Sequence, residues 1–111
     1  MPVQNIRQAT VLIKSSEIKQ NFTMIEAIES MALAFASLSS GESIVPQRYV
    51  TSMQGGMLNM LLKPAGVDSL NRAAIKVLTQ KELGAVHGIP AIVGIVMVLD
   101  TMTGEILSIM D

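Results

Sequence analysis

The sequence predicts an α+β domain: a mostly antiparallel or mixed sheet covered on one side by helices from its amino-terminal part, all within residues 1–111. Three observations lead there. Apolar residues recur at three- and four-residue spacing between Ile25 and Leu38, which is the period of a helix. From Gln47 onward, short aliphatic and β-branched segments alternate with glycine-rich or polar turns, which reads as strands. Helices gathered at one end and strands at the other define an α+β arrangement, not an alternation that winds a parallel sheet. One core is all that 111 residues fill, because a chain of this size buries only about two thirds of the surface it exposes when unfolded.

Taken in order, Ala9 to Ile13 is a short apolar, β-branched run that suits a buried strand, and Ser15-Ser16-Glu17 then offers the start of a brief helix. Thr23-Met24-Ile25-Glu26 is a capping box, in which the Thr hydroxyl takes the Glu26 amide and the carboxylate returns to the Thr23 amide. Behind it, Ile25, Ile28, Met31, Ala32, Phe35 and Leu38 mark one buried stripe on a helix that ends near Ser39-Ser40, with Gly41 beyond its end. Strands are expected at about Gln47 to Met53, Met57 to Leu62, Ala73 to Thr79, Ile92 to Leu99 and Glu105 to Met110. Gly55-Gly56 and Thr101 to Gly104 are short enough to close hairpins. Pro64 to Arg72 and Gln80 to Pro90 have loop composition.

Eight basic residues balance nine acidic ones, so no overall field draws the chain to nucleic acid or anionic lipid. The longest apolar stretch, Ile89 to Leu99, is broken by Pro90 and Gly94 and falls short of the ~20 residues a spanning helix needs, so no membrane partner is expected. The opening Met1 to Arg7 is polar and lacks the pattern of a secretory signal. Without cysteine there is neither a disulfide nor a thiolate metal site, which fits a cytoplasmic protein. Half of the residues are hydrophobic and nine are Met, more than a domain this small hides. Met plugging a core is one account of that surplus. The preferred one is apolar surface that belongs against a partner chain or a further domain.

Arg48 follows Pro46 at the entry to a strand, where alternation sets Arg48, Val50 and Ser52 on one face. A guanidinium among apolar neighbours suits a bidentate clamp on a carboxylate, against the plain alternative of a surface Arg. Lys76 interrupts an otherwise apolar strand, Ala73 to Leu78. Burial would favour its neutral amine and make it a usable base or a donor to a substrate carbonyl. A snorkelling edge lysine is the alternative. Lys63 reads as a solvated strand terminus, and His87, the only imidazole, as a loop residue without partners for a metal site. Asp100 precedes a turn where local hydrogen bonding explains it, so Glu82 and Asp100 are not read as a catalytic carboxylate pair. Ser37, Ser39 and Ser40 have no His-Asp partners. No Gly-x-Gly-x-x-Gly element follows a strand, so no dinucleotide is expected to bind by that route.

Met24 to Glu29 with Ala34-Phe35, Ser39-Ser40-Gly41-Glu42 and Val45-Pro46-Gln47-Arg48 resemble the opening of the ornithine cyclodeaminase and mu-crystallin family. Ala74-Ile75-Lys76-Val77 is similar to that family's Gly-Val-Lys strand, and Gly88-Ile89-Pro90 to its Gly-Leu-Pro turn. Val98-Leu99-Asp100, Thr103 to Leu107 and Met110-Asp111 are similar to its closing hairpin. Two positions differ: Lys63-Pro64 stands where the family usually has Met-Pro, and Pro90-Ala91 where it has Pro-Thr.

The resemblance implies an amino-terminal substrate-binding and dimerisation domain of an NAD(P)-dependent enzyme, with a Rossmann domain to follow. Such enzymes act as amino-acid cyclodeaminases, dehydrogenases or imine reductases, and pair through a shared sheet. It implies that Arg48 grips the substrate carboxylate and that Lys76 lies at the reacting carbon and amine. The expectation is therefore a homodimer with an incomplete amino- or imino-acid site, no cofactor bound by this chain alone, and no turnover by it. A stand-alone oligomerisation module with the same fold is the competing expectation.

Overall fold

The computed structural model describes residues 9–111; the polar opening Met1 to Arg7 lies outside them. Among the described residues the chain forms β1 (Val11–Ile13), α1 (Ser15–Asn21), α2 (Met24–Ser40), β2 (Ser43–Ile44), β3 (Tyr49–Met53), β4 (Leu58–Val67), β5 (Arg72–Lys81), β6 (Ile92–Asp100) and β7 (Ile106–Met110). The seven strands form one sheet in the order β1-β7-β6-β5-β4-β2, with β3 also paired to β4. Every pair is antiparallel except β1 with β7, so the fold is α+β with a mixed, open sheet, as the sequence predicts.

α2 begins and ends where the local chemistry directs. The Glu26 amide donates to the Thr23 hydroxyl at 3.1 Å. The return arm of the box differs from expectation: the Glu26 carboxylate accepts from the Thr23 hydroxyl at 3.0 Å rather than from the Thr23 amide. At the other end Gly41 sits at φ 82°, and the Glu42 amide reaches back to the Ser37 carbonyl at 3.0 Å. That left-handed position suits a residue without Cβ.

The two expected hairpins form. β3 turns into β4 through Gln54 to Met57, with Gly55 and Gly56 at positive φ, and β6 turns into β7 with the Asp100 amide bonded to the Glu105 carbonyl at 2.9 Å.

Three expectations need correction. Residues Pro64 to Val67 are not loop: β4 runs through them, and a third hairpin pairs Val67 with Arg72. β3 covers β4 only from Leu58 to Leu62 and β2 only Gly66 and Val67, so Pro64 sits in the gap between them, where a missing N–H disturbs no ladder on that side. β5 likewise continues to Lys81, whose amide bonds the Ala91 carbonyl at 2.8 Å.

Secondly, the α2 stripe is exposed, not buried: Ile25, Ile28 and Phe35 each keep more than 60% of their surface in water. Periodicity identifies the apolar side of a helix; it does not supply the surface that covers it. Thirdly, β1 is an exposed edge strand, with Leu12 at 70% exposure.

Leu61, at mid-sheet, is the only buried hydrophobic residue among those described. The accessible surface is 8735 Å², against about 5,900 Å² for a compact monomer of this mass. The radius of gyration is 16.9 Å against about 13 Å expected. On the sheet face away from the helices, the cross-strand rows Tyr49, Leu62, Val77, Ile95 and Thr51, Met60, Thr79, Val93 carry no charge. Among the described residues no single helix is long and apolar enough to cross a membrane; α1 and α2 meet at 93°.

Candidate functional site

Strand register decides which side chains share a face, because successive residues point to opposite sides. Lys63 on β4 faces Lys76 on β5, Lys76 faces Val96 on β6, and Val96 faces Met110 on β7. Arg48 stands one residue ahead of β3, whose first pair is Tyr49 with Leu62, so the chain brings Arg48 beside Lys63. The alternation that sets Val50 opposite Leu61 and Ser52 opposite Asn59 assigns Arg48 to the same face as the two lysines. The Ser52 hydroxyl reaches Asn59 Oδ1 at 2.7 Å, as side chains on one face do. Lys63 and Lys76 thus face each other across β4 and β5, with Arg48 one residue ahead of β3.

This is the helix side of the sheet. Lys76 lines a groove of about 430 Å³ with Ile18 of α1, Leu78, Ile92 and Val96, and Asp111 closes its far end. One step along the strands, Ala65, Ala74 and Val98 form the floor of a second groove, of about 380 Å³, beneath Phe35 and Leu38 of α2. The cationic row therefore lies between the places where the two helices overhang.

Neither sequence-predicted site residue is buried: Arg48 and Lys76 are both exposed, and Lys63 is half-buried. Lys76 is not in the buried setting considered for it, since its side chain is exposed among the described residues. Among the described residues the one ion pair joins Arg72 to Asp100 at 3.5 Å, and Arg48, Lys63 and Lys76 make no side-chain hydrogen bond. Lys63, expected as a solvated strand terminus, lies instead within β4, in the ladder opposite Lys76. Continuing the alternation Leu61, Lys63, Ala65, Val67 through Pro64 was the signal for it.

The other candidates have local duties. Asp100 accepts the Met102 amide at 2.7 Å and the Thr103 amide at 3.3 Å, which holds the β6–β7 turn. Glu82 accepts from Asn59 at 3.3 Å. His87, at φ 52°, and Gly88, at φ 75°, are the centre of a tight turn closed by Val86 and Ile89. Ser37 and Ser43 share a hydrogen bond of 2.7 Å. No group of three or more His, Asp or Glu is arranged to hold a metal among the described residues. A dinucleotide pyrophosphate needs a glycine-rich turn between strand and helix. The one strand-to-helix passage described, Ile13-Lys14-Ser15, has no glycine, so these residues do not fit that group.

The α+β fold with its mixed, open sheet is also found in several solved structures. The Δ1-pyrroline-2-carboxylate reductase of Thermococcus litoralis, solved with NADH and L-proline, superposes with a TM-score of 0.85 at 26% identity, over 91% of this chain and 31% of that one. An archaeal alanine dehydrogenase dimer with bound NAD gives 0.83 at 20% identity, over 92% and 31%. A probable ornithine cyclodeaminase from Bordetella pertussis Tohama I gives 0.75 at 20% identity, over 93% and 30%. The chain is similar to ornithine cyclodeaminase-like proteins along nearly its whole length, and it spans about a third of theirs. No family model and no curated protein matches the sequence.

Proposed function

We propose that this chain is the amino-terminal, substrate-binding and dimer-forming domain of a cytoplasmic, NAD(P)-dependent ornithine cyclodeaminase-like enzyme. Arg48 and Lys76 hold the amino or imino acid. The single observation that supports this reading is the register that sets Lys76 opposite Lys63 on β4, next to the strand that Arg48 leads into. Arg48 would take the substrate carboxylate through two parallel N–H bonds, the geometry in which a guanidinium is strongest. Lys76, two strands away, would lie at the α-carbon, where it can donate to a substrate carbonyl oxygen. The nicotinamide partner of such a reaction binds through residues other than these, and no catalytic step is assigned to this chain alone.

Dimerisation rests on the uncharged row formed by Tyr49, Leu62, Val77 and Ile95, and on a surface excess of nearly 3,000 Å² in one chain, which exceeds the roughly 1,000–2,500 Å² that one partner gives to an obligate interface and leaves area for a further domain. The alanine dehydrogenase named above is itself a dimer. Calorimetric titration with L-proline and L-alanine tests the site: Arg48→Gln is expected to weaken binding at least tenfold, as loss of one bidentate pair does. Unchanged affinity in Arg48→Gln would overturn the assignment.

A further inference from the structure

Resting on that reading of the site, we propose that Lys63 is a specificity-determining residue, and that with Arg48 and Lys76 it makes the pocket select dicarboxylic amino or imino acids. Lys63 and Lys76 are directly opposed on adjacent strands, where Cβ atoms lie about 4.5–5.5 Å apart and like charges repel. Nothing described on the chain compensates them: neither lysine has an ion pair or side-chain hydrogen bond, and residues 1–8 contain no Asp or Glu. The nearest acid in the groove, Asp111, lies on the β7 side of Lys76, away from Lys63. With Arg48 on one carboxylate and Lys76 at the α-carbon, Lys63 is left without a partner in an acid that carries a single carboxylate. An acid with a second carboxylate satisfies that charge, with Arg48 on the α-carboxylate and Lys63 on the distal one.

The test titrates the intact protein with L-aspartate and L-alanine at constant ionic strength, following the side-chain signals of Arg48, Lys63 and Lys76 by NMR. Aspartate is expected to bind about tenfold more tightly than alanine, as one added charge-assisted contact allows, and to shift the Lys63 signal, which alanine leaves in place. In Lys63→Met and Lys63→Gln the preference should fall to about twofold, while Lys63→Arg keeps it. Equal affinities in the unsubstituted protein, an unmoved Lys63 signal, or an undiminished preference in Lys63→Met would each overturn the role of Lys63 while leaving the amino-acid site standing. If neither acid perturbs Arg48 or Lys76, both readings fall together.

Discussion

The five strands from β3 to β7 and the two helices ahead of them are held in different ways. The strands are tied by continuous ladders, with ten residue pairs between β4 and β5 and nine between β5 and β6. Neither helix has a buried residue, although α2 is capped at both ends. The sheet can hold its own geometry because each hairpin brings neighbours in sequence together, and such contacts cost little loop entropy. α2 keeps most of its apolar side in water and overhangs only a groove of the sheet, so its stability depends on whatever surface completes it. The residues proposed to hold substrate sit on or beside the strands, and the exposed apolar side of α2 lies apart from them.

Substitutions separate the two regions by size of effect. The largest is expected at Gly94, where an added Cβ would meet the Val77 carbonyl oxygen at 2.7 Å and Leu78 Cβ at 2.8 Å. Gly94→Val should force β5 and β6 apart and cost about 3 kcal/mol, the upper range for overpacking, in denaturant unfolding. Leu61→Ala should cost about 2–3 kcal/mol, since it empties the one buried position of the sheet. Thr23→Ala should cost about 1 kcal/mol through the lost cap, seen as faster amide exchange in α2 with unchanged exchange in β5. Phe35→Ser should change unfolding by less than about 0.5 kcal/mol in the separated chain, as an exposed residue does. A Phe35→Ser effect as large as that of Leu61→Ala would abolish the distinction between the regions.

Much of this was readable from residues alone, and the failures share a cause. The Thr23 to Glu26 box and Gly41 bounded α2, and Gly55-Gly56 and Thr101 to Gly104 marked two hairpins, because those signals are local. β4 was cut short at Leu62 because Pro, Gly, Asp and Asn after it have loop composition. What permits a proline there is the gap between β2 and β3, which only the assembled sheet contains. The parallel pairing of β1 with β7 joins residues almost a chain length apart and leaves no local trace. Exposure of the α2 stripe was illegible for the same reason, as a sequence shows which face is apolar and not what lies upon it. At the site, Arg48 and Lys76 stood out as charges among aliphatic neighbours. Lys63 did not, because its partner across the ladder appears only once β4 is drawn at its full ten residues.

The most direct test of the cationic row as a carboxylate seat is a crystal structure of the protein grown with L-proline. The account predicts the carboxylate oxygens about 3 Å from the Arg48 guanidinium, with the ring nitrogen toward Lys76 on the helix side of the sheet. Proline ordered on the opposite face, or held by residues that exclude both Arg48 and Lys76, would contradict it.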